Sequence, residues 1–110
     1  MITRYAMFEG TIADGQTEAF RAAVMEELLP KWKAFPGARA VRVTFTDEAD
    51  DGAPAFPLIM AIDYDDRDAV TTAMNSDARM AGKEATEALL PRFFEGRIHH
   101  HITTAQAFPL

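Results

Sequence analysis

The sequence predicts a single α+β domain, a four-stranded antiparallel sheet carrying two helices on one face, in the order β-α-β-β-α-β. Three observations predict it. The apolar residues alternate with a period of two in four stretches and recur at about four in two others. The changes of period fall at Gly, Pro and Asp/Asn turn residues. The same short pattern closes both helical stretches.

Residues 2–12 alternate and carry tyrosine, methionine and phenylalanine, the composition of a strand. Asp14-Gly15 marks a turn and a helix cap. From Thr17 onward Phe20, Val24, Leu28 and Trp32 recur every four residues, with Met25 and Leu29 beside them. That is the apolar stripe of an amphipathic helix, and Pro36-Gly37 stops it. Residues 39–46 return to alternation, with Val41, Val43 and Phe45 on one face and Arg42 and Thr44 on the other. An acidic loop follows, and residues 57–64 form a more apolar strand. Asp65, Asp66 and Asp68 open a second helix whose inner face holds Val70, Ala73 and Met74. Asn75-Ser76-Asp77 reads as a break with a fresh N-cap. A further helical piece runs through Ala81, Ala85, Leu89 and Phe93, with Gly96 as its end and residues 97–105 as the last strand.

Residues 26–32 read Glu-Glu-Leu-Leu-Pro-Lys-Trp and residues 87–93 read Glu-Ala-Leu-Leu-Pro-Arg-Phe. A proline inside a helix costs about 3 kcal/mol unless the helix bends to accept it. The same irregularity at the end of both helices points to two equivalent halves, as in a ferredoxin-like fold.

Composition bounds the function. At 110 residues, 48% hydrophobic and 25% charged, the chain makes one globular domain spanning 1–110 and no long disordered stretch. With no cysteine, disulfides, thiolate nucleophiles and zinc-cysteine sites are excluded. A net charge of −6 without a basic run argues against nucleic acid and anionic lipid as partners. No segment approaches the roughly 20 apolar residues of a membrane span, and Met1–Gly10 lacks a signal-like apolar run, so a cytoplasmic protein is expected. Asp47, Glu48, Asp50 and Asp51 lack the spacing of an EF-hand and read as a solvated loop.

Two helices cover only one face of such a sheet. Phe8, Val41, Val43, Phe45, Leu58, Met60 and Ile62 belong under the helices, and so do Ile98, His100 and Ile102. The other face collects Tyr5, Met7, Glu9, Arg42, Ile59, Ala61, Asp63, His99 and His101. It is too apolar for open water and too polar for a dry core. A second copy of the chain facing it across a cavity satisfies both objections, so a homodimer is expected, with the apolar tail Phe108-Pro109-Leu110 free to cross between copies.

The segments LLPKWKAFPG, VRVTF and LLPRFFEGRIHHHI, in this element order and length, resemble the dimeric α/β-barrel superfamily. Within it they are most similar to small EthD-like and antibiotic-biosynthesis-monooxygenase-like proteins. The resemblance spans almost the whole chain. It implies a dimeric barrel with a small-molecule cavity, and an activity such as cofactor-independent oxygenation or isomerisation. The haem-degrading residue set of the superfamily has no match here.

His99 and His101 share a strand face. A histidine there suits general acid/base work on an organic acid or phenol. The alternatives are a metal held with Glu9 or Asp63 as third ligand, or histidines that merely line a dimer interface. Arg42 and Asp63 form a cross-strand ion pair, or else Arg42 anchors a substrate anion that Asp63 helps orient. Tyr5 donates a hydrogen bond into the cavity, or packs its ring and sends its hydroxyl to solvent. Trp32 reads as core, and Arg79 and Lys83, one helical turn apart, read as a solvated face. No cofactor or metal is assigned. The functional expectation is an enzyme acting on a small aromatic or cyclic metabolite, with His99 and His101 catalytic and Tyr5, Arg42 and Asp63 binding substrate. The alternative is a binding or accessory protein with the same cavity and no chemistry.

Overall fold

A computed structural model describes residues 1–110. The elements run β1 (Ile2–Ile12), α1 (Thr17–Ala23), a π-helical segment (Val24–Leu28), α2 (Leu29–Lys33), β2 (Ala40–Phe45), β3 (Leu58–Tyr64), α3 (Arg67–Met74), α4 (Asp77–Phe93) and β4 (Phe94–Thr104). The strands make one antiparallel sheet in the order β2-β3-β1-β4. This is the ferredoxin-like βαββαβ sandwich expected from the sequence, with the helices on one face.

Residue parity fixes which face is which. Phe8 pairs with Leu58 and Ile98, Ala6 with Met60 and His100, and Val43 with Met60, so these side chains point together toward the helices. There they meet Phe20, Val24, Leu28 and Trp32, each at most 3% exposed. Burying a side chain of this size stabilises the fold by about 1.5–3 kcal/mol, and these contacts join helix to sheet in one core cluster.

The four-residue spacing of that stripe has a structural cause. In a regular α-helix each step of four residues drifts about 40° around the axis. The π-helical segment absorbs the drift: the Leu29 N–H donates to the Val24 carbonyl, five residues back. Pro30 follows at once, where a missing N–H is tolerated. Pro91 instead lies inside α4, near its end. Both prolines fall within three residues of a helix end, but a loop then precedes β2 whereas β4 begins at once.

Three local expectations change. Asp14-Gly15 turns the chain but does not cap it: Gln16 is the N-cap of α1 and makes no side-chain capping bond. Met25 is 42% exposed, outside the core stripe. Gly96 does not end the helix, because β4 begins directly at Phe94 and Gly96 pairs with Gly10 inside the sheet. A Cβ at Gly96 would stand 2.0 Å from the Glu9 carbonyl oxygen, so only glycine permits this close approach. Elsewhere the capping residues act as read: the Asp66 carboxylate accepts from the Ala69 N–H at 2.8 Å, and the Ser76 hydroxyl from the Arg79 N–H at 3.2 Å.

Candidate functional site

Alternation within β4 splits the three consecutive histidines between the two faces of the sheet. His99 and His101 lie on the open face, opposite Met7 and Tyr5 of β1. His100 lies on the helix side, opposite Ala6. The chemistry-bearing residues therefore fall into two groups, back to back across the sheet.

The open-face group is self-contained. Asp63, 3% exposed, accepts from the Thr3 hydroxyl at 2.7 Å and from Arg42 Nη2 at 3.0 Å, with Arg42 Nη1 on its second oxygen. The Arg42 guanidinium first, and the Thr3 hydroxyl after it, hold the Asp63 carboxyl below its usual range. Toward the other end, His99 Nε2 meets Glu9 Oε1 at 2.7 Å, and Arg97 Nε stands 3.6 Å from the same oxygen. The His99 hydrogen bond, reinforced by Arg97, lowers the Glu9 pKa. The Phe56 ring stands edge-on to His99. Tyr5 sits between Ala61 and His101 on neighbouring strands. So Arg42 and Asp63 form the cross-strand ion pair, and Glu9 is engaged by His99. No three His, Asp or Glu side chains converge as a metal-binding group.

The cavity lies on the other side. It offers about 190 Å³, open to solvent on one side, between the sheet and helices α2 and α4. Its walls include Phe8, Met60, Trp32 and Phe35, and its polar groups include Arg4, Arg79 and His100. An apolar cavity of about 150 Å³ accepts benzene, so this one has the size for a single substituted ring. None of Tyr5, Arg42, Asp63, His99 and His101 lines it. From the sequence these residues are expected to serve a small-molecule cavity; the sheet itself stands between them and this one.

Sequence positions explain how this wall forms. Arg4 shares the parity of Ala6 and Phe8, which turns a half-buried guanidinium toward the helices. Gly82 is buried in α4 against the Phe35 ring, where a Cβ would come within 3.1 Å of Phe35 Cε1. Thr86, one turn on, returns its hydroxyl to the Gly82 carbonyl at 2.9 Å. Of Arg79 and Lys83, read as a solvated face, Lys83 is exposed at the cavity rim as expected, whereas Arg79 is half-buried in the cavity wall. Trp32 belongs to the core and to the cavity wall at once.

His100 is the perturbed group of this cavity. The residue lies on an edge strand and keeps more than a third of its surface open. Its imidazole is nevertheless desolvated by the wall and faces the positive charges of Arg4 and Arg79, with a smaller contribution from His99. Together these lower its pKa to about 4. Arg4 is shifted down by the same two causes, burial first and repulsion from Arg79 second. The imidazole keeps a free lone pair, and the two guanidiniums can hold an anion whose charge would offset theirs and raise the imidazole's basicity. Parity could have found His100, and an arginine among apolar helix-side residues could have found Arg4.

With this geometry in hand, comparison with known proteins is informative about the fold. No protein-family model and no curated protein matches the chain. Solved structures do. The crystal structure of an EthD family protein from Bacillus halodurans superposes with a TM-score of 0.76 at 20% identity, covering 96% of this chain and 100% of that one. The chain shares its fold. SnoaB, a cofactor-independent oxygenase from Streptomyces nogalater, matches with a TM-score of 0.63 at 16% identity over 97% of this chain and 94% of its own. A dimeric ferredoxin-like protein of unknown function from Thermobifida fusca matches with a TM-score of 0.61 at 16% identity, covering 94% and 90%. The EthD-like and monooxygenase-like resemblance of the sequence thus holds as a ferredoxin-like fold. No helix is long and apolar enough to cross a membrane.

Proposed function

We propose that this protein binds a small cyclic metabolite in the helix-side cavity and catalyses a proton transfer on it, as a cofactor-independent oxygenase or isomerase. The observation that carries the reading is a ring-sized apolar cavity with a neutral imidazole, His100, in its wall. Both reaction classes begin when a base removes a proton from a ring O–H or C–H. The His100 lone pair is available for this at neutral pH. Arg4 and Arg79 then face the anion that forms, and that anion in turn raises the basicity of His100. Isomerisation returns the proton to another atom, whereas in oxygenation the anion reduces dioxygen and bonds to it at carbon, and the peroxide takes the proton back and loses water to leave a ring carbonyl.

A homodimer joined through the open sheet faces completes the reading, and the protein is taken to work in the cytoplasm. Support comes from the half-buried apolar part of that face, Tyr5, Met7 and Ile59, and from the exposed tail, where Phe108 is 76% exposed. In this arrangement Arg42, Asp63, His99 and His101 line the interface rather than the reaction site.

The second reading keeps His99 and His101 as catalytic and Tyr5, Arg42 and Asp63 as substrate-binding, in a space between protomers. It is favoured by the short His99–Glu9 contact, which orients one imidazole. Turnover separates the two. Monocyclic phenols and lactones are incubated with protein in air and followed by mass spectrometry. The first reading expects conversion that survives His99→Ala and His101→Ala and is lost in His100→Ala. Loss at His99→Ala with activity kept in His100→Ala would move the chemistry to the open face. A ligand that binds and is recovered unchanged would make the protein a binding or accessory protein.

A further inference from the structure

The pairing of charges across this chain is uneven. Arg21, Arg39, Arg42, Arg92 and Arg97 each meet a carboxylate, on Asp47, Asp65, Asp63, Glu27 and Glu9 respectively. Arg4, Arg67 and Arg79 meet none. Arg67 stands exposed at the start of α3, where water solvates it. Arg4 and Arg79 are both half-buried, and both line the cavity. On a chain of net charge −6 an acidic partner for each would be easy to supply. Glu87 is the one acid on the cavity wall, and it lies 3.9 Å from Lys83 rather than against either arginine. A half-buried guanidinium without a counter-charge costs stability, and two facing one another cost more. Such a pair is stabilised when an anion enters between them.

The rest of the cavity limits what that anion is. Phe8, Met60, Trp32 and Phe35 offer apolar and aromatic surface that an inorganic ion leaves uncovered. The volume of about 190 Å³ suits one substituted ring. His100, neutral at physiological pH, adds a hydrogen-bonding group without adding charge.

We infer that the ligand of this cavity is a monocyclic organic acid, its ring against Trp32 and Phe35 and its carboxylate between Arg4 and Arg79. The inference rests on the reading of the cavity as the binding site and names the chemical class of what it binds. It also gives the two guanidiniums a role in specificity: a neutral ring of the same shape fills the walls but leaves both charges unmatched.

Trp32 is the sole tryptophan and lies in the wall, so its fluorescence reports occupancy. Benzoate and benzamide are titrated into the intact protein; they are nearly isosteric and differ in charge. The expected result is that benzoate binds at least about ten-fold more tightly, the ratio that one charge-assisted hydrogen bond supplies. Arg79→Gln should bring benzoate down to the affinity of benzamide, and Arg79→Lys should restore part of the difference. Equal affinity of the two probes in the unaltered protein overturns the anion assignment while leaving the cavity as a binding site. Failure of both probes to bind, checked by calorimetry, overturns the cavity reading as well. The comparison of probes in the unaltered protein stands even if an arginine variant fails to fold.

Discussion

His100 makes the structure's charge logic measurable. In the unfolded chain its imidazole takes up a proton near pH 6.5, whereas in the folded chain burial and the charges of Arg4 and Arg79 delay uptake to about pH 4. The folded-state pKa is depressed, so the unfolded state binds the proton first as pH falls. His100 therefore contributes its full stability above pH 6.5 and loses it progressively as pH drops toward 4. A difference of about 2.5 units corresponds to about 3 kcal/mol as a ceiling. The residue is more than a third exposed, so solvent screening reduces this to about 1 kcal/mol. The remaining charged groups on the cavity wall, Lys83 and Glu87, are paired with each other and near the rim. Urea unfolding near pH 7.5 and near pH 4.5, for the unaltered protein and for His100→Asn, isolates the effect. The acid step should cost the unaltered protein about 1 kcal/mol more than the variant, because the variant has no imidazole to titrate. In parallel, the His100 ring signal in an NMR titration should stay neutral down to about pH 4 and move to higher pH when benzoate is bound. An acid step equal in both proteins, or a His100 signal titrating at 6.5 or above, would refute the reasoning.

Other substitutions probe single contacts. Gly96→Ala places a Cβ 2.0 Å from the Glu9 carbonyl oxygen and should destabilise the protein by about 3 kcal/mol or more in chemical denaturation, since backbone on both sides must part. Gly82→Ala adds about 1 kcal/mol of helix propensity but presses on Phe35 at 3.1 Å. The melting temperature should change little while benzoate affinity, read from Trp32, falls several-fold. Arg42→Leu leaves Asp63 nearly buried with Thr3 as its remaining side-chain partner. With Arg42 itself half exposed, the cost should be about 2 kcal/mol at neutral pH. Because the folded Asp63 pKa is depressed, that cost should be present above about pH 4 and fade as pH falls through the folded pKa, so the two unfolding curves converge in acid.

The fold was legible because its determinants are periodic. Val41, Val43 and Phe45 declare a strand face by alternation, and Phe20, Val24, Leu28 and Trp32 declare a helix stripe by recurrence. The open-face assignment of Tyr5, Arg42, Asp63, His99 and His101 followed from the same parity, and the backbone pairing reproduces it. What the sequence hid was depth. Alternation says which side of the sheet a residue takes, but not whether the space on that side is filled. The space beneath α4 depends on a long-range fit, Gly82 against Phe35, between residues far apart in sequence. Arg79 looked solvated because helical spacing with Lys83 resembles any surface face. In the folded chain it is half-buried and shares the cavity wall with Arg4 and His100. Gly96 misled for a related reason: glycine after a helix signals its end, and the competing signal, a glycine opposite it on β1, lies across the sheet.

The two sides of the sheet differ most in how their charges are balanced. On the open face Arg42 answers Asp63, and Glu9 is answered by His99 and Arg97. A surface whose ions are already paired can be covered by a second protein face without stranding a charge, and the half-buried apolar Met7 and Ile59 favour covering it. On the helix side Arg4 and Arg79 are left unpaired beside a neutral imidazole. Neither meets a carboxylate, so their burial is not offset by a counter-charge within the chain. Paired charges fit an interface that stays closed, and unpaired ones fit a site that waits for its counter-ion. The proposed division of labour between the faces, association on one and ligand chemistry on the other, rests on that difference.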